Sequence, residues 1–297
     1  MIISFFIIRL SKQIYKKYQL IKSNKGKTKV AMCAVVKQEN KYLKYYIDFY
    51  KKLGYDHIYF YDNNEPGDES IDDLQIVKDG INNGFITKIK YKNDNQFYQI
   101  VYYDCYEKYN KEYDWISFFD IDEYLMLVPK NTTIQQFLDN PRYKNCDTIK
   151  INWRLFTDND QLDWEDKPLI ERFPIESDFT NENKHVKSII RGKIYYKNFR
   201  RNNNAHSIYN NIKACSASGK KTNWAYYLWP PDLKYASLNH YVTKSIREFY
   251  YKKKKKKMDA DSTDDKKKYL FKYFFSVNKK SKVKVLIFNQ IYHTNYK

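Results

Sequence analysis

The sequence predicts an α/β protein with a mostly parallel sheet and helices on both faces. Four apolar runs long enough for buried strands begin before residue 120, and three segments of helical periodicity lie between them. The chain has 297 residues, and 42% of them are hydrophobic, which is enough for a substantial core. A disordered chain is excluded by this composition.

The first half of the chain contains the alternation. Lys41–Leu53 is predicted as a helix because apolar side chains recur at three- and four-residue steps, and Gly54 ends it. The other predicted helices are Leu74–Asn82 and Gln96–Tyr113. The predicted strands are Val30–Val36, His57–Tyr61, Ile86–Tyr91 and the run from Trp115 to Leu127.

Beyond residue 131 the periodicity loosens. We predict a short helix over Ile134–Leu138, a lysine-rich helical segment after residue 246, and three strands over Thr148–Phe156, Val186–Ile190 and Val283–Phe288. The chain therefore divides into a basic and apolar lead-in (1–28), a main domain (29–250) and a lysine-rich, helical C-terminal extension (251–297). The apolar stretch in the first ten residues is too short to span a bilayer. A weak interfacial anchor over residues 1–20 is an alternative that stays open.

The net charge of +19 admits three interpretations. Part of it lies in six consecutive lysines, Lys252–Lys257, and three more at Lys266–Lys268. A solvated charged surface is favoured, peripheral contact with an anionic membrane comes second, and nucleic-acid binding has the least support.

The four cysteines lie far apart and show no CxxC spacing. This pattern suggests neither a zinc site nor a dense disulfide framework. A reduced, cytoplasmic protein is therefore the expectation, with peripheral membrane association left open.

Two carboxylates end the apolar run WISFFDIDEYLML at residues 115–127. If the run is one strand, Asp120 and Asp122 project to the same side, roughly 6–7 Å apart, and repel by ~2–3 kcal/mol when both are ionised. A divalent cation such as Mg²⁺ relieves that repulsion and binds phosphate oxygens as well. The alternative is a helix N-terminus, where acidic residues are also favoured.

Polar clusters follow two other predicted strands, at residues 37–40 and 62–64. The carboxyl ends of parallel strands meet at one edge of a sheet, where ligands bind. Lys37, Glu39, Asp62 and Asn63 are therefore expected to face the same crevice as Asp120. Turn formation and helix capping are the alternatives for these residues.

Six separated motifs resemble glycosyltransferase family 92, of the GT-A type, and its bacterial family-2-like relatives. In order they are AVVKQENKYLKYYIDFYKKLGYDHIYFYDNNEPGDE (34–69), WISFFDIDEYL (115–125), INWRLFTDND (151–160), PLIERF (168–173), KHVKSIIRG (184–192) and LNHYVTKS (238–245). The resemblance implies a GT-A, Rossmann-like fold and transfer of a sugar from a nucleotide-sugar donor to a glycan or lipid-linked acceptor, with inversion.

The resemblance also implies roles for particular residues. Mn²⁺ or Mg²⁺ is expected on Asp120 and Asp122, with His240 as a third ligand, and Asp62 and Asn63 would contact the base or ribose. Lys187 and Arg191 are candidates for diphosphate contact, and Lys244 would bind phosphate if it lay on one helix face with His240. Structural roles are the alternative for each.

An acidic loop follows Trp153. Asp158, and after it Asp160, are the predicted general bases, because the acceptor hydroxyl must lose a proton as it attacks. Trp153 itself is a candidate for stacking on a sugar ring, or a core residue. Two other functions stay open from the residues alone: a basic, tyrosine-rich nucleic-acid-binding protein, and a metal-dependent phosphoryl or nucleotidyl transferase.

Overall fold

The structure, a computed structural model, describes residues 26–91, 97–194, 213–222, 227–255 and 263–297. Residues 1–25 of the predicted lead-in, and residues 256–257 of the lysine run, lie outside the described residues. The strands are β1 (Val30–Val36), β2 (His57–Asp62), β3 (Ile86–Lys90), β4 (Trp115–Phe118), β5 (Glu123–Leu127), β6 (Thr148–Leu155), β7 (Val186–Arg191), β8 (Ala214–Ser216) and β9 (Ala236–His240).

Helices connect and cover these strands. They are α1 (Asn40–Leu53), α2 (Gln75–Asn82), α3 (Phe97–Tyr109), α4 (Ile134–Leu138), α5 (Leu169–Arg172), α6 (Ile246–Lys255), α7 (Asp264–Val277) and α8 (Lys282–Tyr292). Helix α1 ends as predicted, because Gly54 adopts a left-handed φ of 101° that its lack of a side chain permits.

The strands form one curled sheet in the order β3-β2-β1-β4-β7-β6-β9-β5, with β8 beside β6. Strand β1 pairs in parallel with β2 and β4, and β2 pairs in parallel with β3. Strands β8 and β9 also run parallel to β6, whereas β7 is antiparallel to β4 and β6, and β5 is antiparallel to β9. The predicted mostly parallel α/β sheet is confirmed.

Helices cover both faces of the sheet, as predicted. Alternate residues of β1 enter two different hydrophobic clusters: Met32 and Ala34 lie with Tyr46 of α1, while Ala31 and Cys33 lie with Tyr106 of α3. Because side chains alternate along a strand, this partition shows that β1 is buried on both faces.

The run from Trp115 to Leu127 is two strands rather than the single strand predicted. Residues 119–122 form a turn, in which the Glu123 amide donates to the Asp120 carbonyl oxygen at 3.0 Å. The Asp120 amide in turn donates to Glu123 Oε2 at 2.9 Å. Strand β5 then leaves β4 and pairs with β9. Asp120 and Asp122 therefore lie in a turn and do not share a strand face.

The C-terminal extension packs against the rest of the chain. A third hydrophobic cluster joins Phe249 of α6, Phe274 of α7 and Phe288 of α8. The strand predicted over Val283–Phe288 is wrong, because these residues belong to helix α8. Its buried positions Lys284, Ile287, Phe288 and Tyr292 have helical spacing, and Ser281 caps its first turn. Helix α6 also runs across the predicted boundary at residues 250–251.

The cysteines are paired, contrary to the expectation of reduced thiols. Disulfides join Cys33 to Cys105 and Cys146 to Cys215. The first links β1 to α3, and the second links β8 to the loop that precedes β6. The sequence did not reveal either pair, because the two cysteines of each disulfide are about 70 residues apart. Cysteine content therefore no longer supports a reducing compartment.

Candidate functional site

Asp120 and Asp122 lie at the carboxyl edge of the parallel strands, in the turn between β4 and β5. The Asp120 side chain is 37% exposed, and its Oδ2 accepts a hydrogen bond from Lys187 Nζ at 2.8 Å. Tyr102 of α3 donates to its Oδ1 at 3.2 Å. Asp120 is thus a half-buried carboxylate that a lysine and a tyrosine hold in place.

Asp122 is almost completely buried and faces two further lysines. Its Oδ2 accepts from Lys244 Nζ at 3.1 Å and also from Lys252 Nζ, while His240 Nε2 lies 3.7 Å from its Oδ1. Burial acts to raise the pKa of Asp122, but Lys244 and Lys252 outweigh it and hold that pKa well below its usual value. Asp122 is therefore ionised under ordinary conditions.

Glu123 is the third carboxylate of the turn. Its side chain is fully buried, and its Oε2 lies 3.6 Å from Lys187 Nζ. Burial raises the pKa of Glu123 to about 8 in spite of Lys187, so the group is mostly protonated at pH 7. Sequence reasoning did not assign Glu123 to the site, although it stands directly after Asp122.

Three lysine ammonium groups thus converge on the turn from three elements. Lys187 comes from β7, Lys244 from the loop after β9, and Lys252 from α6. Burial acts to lower the pKa of Lys187 and of Lys252, but the neighbouring carboxylates raise both. We call Lys187, Lys244 and Lys252 the lysine triad. Two of these lysines contact Asp122, and the third contacts Asp120.

Lys244 lies at the site, but in a different secondary structure from the one predicted. It is not on a helix with His240, since it lies in a turn with a φ of 53°. Its Nζ also lies 4.7 Å from the centre of the Tyr42 ring. A buried network supports this turn: Arg172 pairs with Glu248 at 2.7 Å, and Ser245 and Tyr42 donate to the same carboxylate at 2.6 Å.

The donor types at the turn fit a divalent cation. Carboxylate oxygens suit Mg²⁺ and Mn²⁺, and a neutral imidazole is a further ligand. Burial lowers the pKa of His240 to about 3, so the ring is neutral at pH 7. Two buried atoms of this site, Glu123 Oε1 and His240 Nδ1, find no hydrogen-bond partner among the described residues. Such atoms are expected where a ligand completes a site.

The side chains do not converge into a ready metal cage. Within the described ranges, no group of three or more His, Cys, Asp or Glu side chains is placed to hold an ion. Instead, Oδ2 of Asp122 accepts from Lys244 and Lys252, and Oδ2 of Asp120 accepts from Lys187. Asp120, Asp122 and His240 would hold a metal, and that assignment stays a prediction.

Residues at the ends of β1 and β2 reach the same edge of the sheet. The charge of Glu39 is close enough to contribute to the raised pKa of Lys252, after Asp122. Lys37 pairs with Glu65 at 3.0 Å. Asp62 is buried, pairs with Lys90 at 3.2 Å and accepts from the Asn64 side chain at 2.8 Å. These contacts fix the loop after β2.

Asn63 is anchored through its backbone. Its amide donates to the Val36 carbonyl oxygen at 2.8 Å, which continues the pairing of β1 with β2 beyond the end of the strand. The residue as a whole is 7% exposed. The predicted contact of Asp62 and Asn63 with a base or ribose stays a prediction.

The structure does not bring Arg191 to the carboxylates. Arg191 pairs with Trp115 at the start of β4, the opposite end of that strand from Asp120. Its guanidinium donates to the carbonyl oxygens of Tyr143 and Cys146 at 2.8 and 2.9 Å and lies over the Trp115 ring. Arg191 thus ties β7 to the loop before β6.

Asp158 and Asp160, the predicted bases, share one lysine of the C-terminal helices. Lys284 Nζ lies 2.9 Å from Asp158 and 2.7 Å from Asp160. Asp158 and Lys284 are each 1% exposed, and burial raises the pKa of Asp158 despite the ion pair. Asp160 is 67% exposed, and Lys284 lowers its pKa. The base role stays a prediction, and the closed ion pair of Asp158 favours a structural role.

The fold and the carboxylate turn define a class of enzyme once they are compared with known proteins. The model of the family described as "Glycosyltransferase family 92" matches residues 28–272, most of the chain. The protein is therefore a glycosyltransferase. The chain belongs to glycosyltransferase family 92, and the resemblance found in its motifs is confirmed.

The chain is also similar to a solved structure. The crystal structure of S. aureus TarS is 14% identical, with 85% of this chain and 44% of that chain covered and a TM-score of 0.37. The chain spans less than half of that structure, and at this TM-score the likeness carries no argument. No curated protein matches the chain significantly.

Proposed function

We propose that this glycosyltransferase moves a sugar from a nucleotide-diphosphate sugar to a glycan or lipid-linked acceptor, with Mn²⁺ or Mg²⁺ as cofactor and with inversion. The observation that carries the proposal is the lysine triad around the Asp120–Asp122 turn. Three ammonium groups and two carboxylates at the carboxyl edge of a parallel sheet suit a diphosphate together with a cation.

The protein's own groups have distinct parts in this proposal. The lysine triad binds the diphosphate and stabilises the negative charge that grows on it as the bond to the sugar breaks. Tyr102 and Lys187 orient Asp120, and the buried Arg172–Glu248 pair supports the loop that carries Lys244. A divalent ion held by Asp120, Asp122 and His240 would supply further neutralisation of the leaving group.

Donor binding is the first test. We would screen nucleotide sugars and nucleoside diphosphates by thermal shift, with and without Mn²⁺, on the wild type and on Lys187→Met. One nucleoside diphosphate should raise the melting temperature of the wild type, and more so with metal. Lys187→Met should lose that shift. A wild type that no nucleotide stabilises contradicts the proposal.

We further propose peripheral contact with an anionic membrane, where lipid-linked acceptors lie. The support is helix α7, on which Lys266, Lys268 and Tyr269 are exposed. Among the described residues, no helix has the length and apolar character needed to cross a bilayer. Deleting 251–297 is a poor test, because it removes Lys252 from the site.

The sharper test is a charge reversal on α7. The double variant Lys266→Glu with Lys268→Glu should lower the fraction of protein that sediments with phosphatidylserine vesicles. The fraction that sediments with neutral vesicles should be small and the same for both proteins. Equal binding of wild type and variant to the anionic vesicles would refute membrane contact through α7.

A further inference from the structure

An aromatic path leads from the carboxylate turn to the protein surface. It starts at His240, whose ring lies against Asp122 and 4.3 Å from the ring of Trp153 on β6. Trp153 stacks on His185 at 4.8 Å with an interplanar angle of 28°. His185 then meets Tyr227 edge-on at 4.6 Å. Four rings thus form one continuous set of contacts.

The outer end of this path is exposed but well anchored. Tyr227 is 47% exposed and Trp229 is 64% exposed. The backbone that leads to Trp229 is held nevertheless: Tyr227 forms a β-bridge with His185, and the Leu228 amide donates to the Lys184 carbonyl oxygen at 2.8 Å. Asn152 donates to the Leu228 carbonyl oxygen at 3.0 Å. Exposed aromatic side chains on fixed backbone are typical of binding surfaces.

We infer that Tyr227 and Trp229, continued inward by Trp153 and His185, bind a pyranose ring of the acceptor. This inference rests on the proposed function. A pyranose has one apolar face of C–H groups and a rim of hydroxyls, so it suits a flat aromatic side chain with a polar edge. The Nζ of Lys184 lies over the Tyr227 ring, 5.1 Å from its centre, and adds a hydrogen-bond donor beside this surface.

The position agrees with what the reaction requires. An acceptor hydroxyl must approach the donor sugar to about 3–3.5 Å, so its binding surface has to adjoin the diphosphate site. The aromatic path begins at the ring that contacts Asp122 and extends outward from it. A long glycan could therefore lie with its reacting end at the turn and its remainder on Tyr227 and Trp229.

Sugar binding can be measured without turnover. We would record saturation-transfer NMR of the full chain with a panel of methyl hexopyranosides, for the wild type, Tyr227→Ala and Trp229→Ala. Tyr269→Ala is the matched control, because Tyr269 is 62% exposed on α7. At least one glycoside should receive saturation on its ring protons, and each of the two site variants should reduce that signal at least threefold. The control should not change it.

The outcomes separate this inference from the proposed function. A chain that binds a nucleoside diphosphate but no glycoside, or one whose glycoside signal survives both site substitutions, overturns the acceptor surface alone. A signal that falls equally in Tyr269→Ala also overturns it. Failure to bind any nucleoside diphosphate would overturn the proposed function, whatever the glycoside result.

Discussion

Lys252 on α6 donates a hydrogen bond to Asp122, although 130 residues separate the two in sequence. The contact brings a residue from the predicted C-terminal extension into the site. The Lys252 side chain is 21% exposed there, and the charge of Glu39, directly before α1, helps to raise the pKa of Lys252. The extension therefore helps to form the site that the main domain was expected to form alone.

Replacing Lys252 should weaken donor binding. A hydrogen bond to a charged group contributes about 1.5–3 kcal/mol, so Lys252→Met should raise the Kd of the bound nucleoside diphosphate by roughly 10- to 100-fold. Isothermal titration calorimetry measures this directly. Lys268→Met, on the exposed surface of α7, is the control and should bind like the wild type. If both variants bind the nucleoside diphosphate with equal affinity, Lys252 is not part of the donor site.

The Asp158–Lys284 pair should govern stability more than catalysis. Both side chains are buried, and removing one partner of such a pair costs about 3–5 kcal/mol. Asp158→Asn and Lys284→Met should each lower the free energy of unfolding by that order, measured by urea denaturation. The double variant Asp158→Leu with Lys284→Met should recover much of the loss. If Asp158→Asn instead stays stable and loses turnover 100-fold or more, Asp158 is the base.

The lowered pKa of Glu248 predicts that the free energy of unfolding falls at acidic pH. Burial acts to raise its pKa, but hydrogen bonds from Arg172, Ser245 and Tyr42 outweigh it and lower the pKa from 4.5 to about 2. A pKa lowered by folding stabilises the protein above pH 4.5, and that contribution is lost as the pH falls towards 2. The contribution is about 3 kcal/mol.

Denaturation between pH 6 and pH 2.5 tests this expectation. The wild type should lose stability steeply below pH 4.5, and Glu248→Gln should start lower and fall less steeply over that range. Parallel curves for the two proteins would show that Glu248 does not carry the effect.

The two disulfides predict the result of a thiol count. The denatured, unreduced protein should show no free thiol, and four should appear after reduction. Replacing Cys146 and Cys215 together by serine should lower the free energy of unfolding by about 2–4 kcal/mol, because the reduced chain has more freedom when unfolded. Four reactive thiols before reduction would contradict the pairing.

Local pattern was sufficient to predict the strands and helices before Trp115. Strand β1 is specified by a continuous apolar run of seven residues, and helix α1 by apolar periodicity over fourteen residues, with Gly54 marking its end. The turn at 119–122 was missed because apolar residues lie on both sides of it and neither Gly nor Pro interrupts the run. Helix α8 was mistaken for a strand because its apolar segment is too short to reveal its period.

Contacts between residues far apart in sequence limit how much of the site could be predicted. Asp120 and Asp122 could be identified from the end of a buried run, and Lys187 and Lys244 from motifs. Lys252 has no local signal, since it is one of six consecutive lysines. The pairing of Asp158 with Lys284 joins residues 126 positions apart and depends on how α8 packs. Such contacts follow from tertiary packing, which no local pattern encodes.

Calorimetric binding of a nucleoside diphosphate to the wild type and to Asp120→Asn, each with and without Mn²⁺, tests the central claim most directly. We predict that the wild type binds in both conditions, because the lysine triad attracts the diphosphate, and at least tenfold more tightly with Mn²⁺. Asp120→Asn should keep the metal-free affinity within a fewfold and lose the gain from Mn²⁺. Binding that is absent in the wild type, or a Mn²⁺ gain that Asp120→Asn retains in full, would contradict the account.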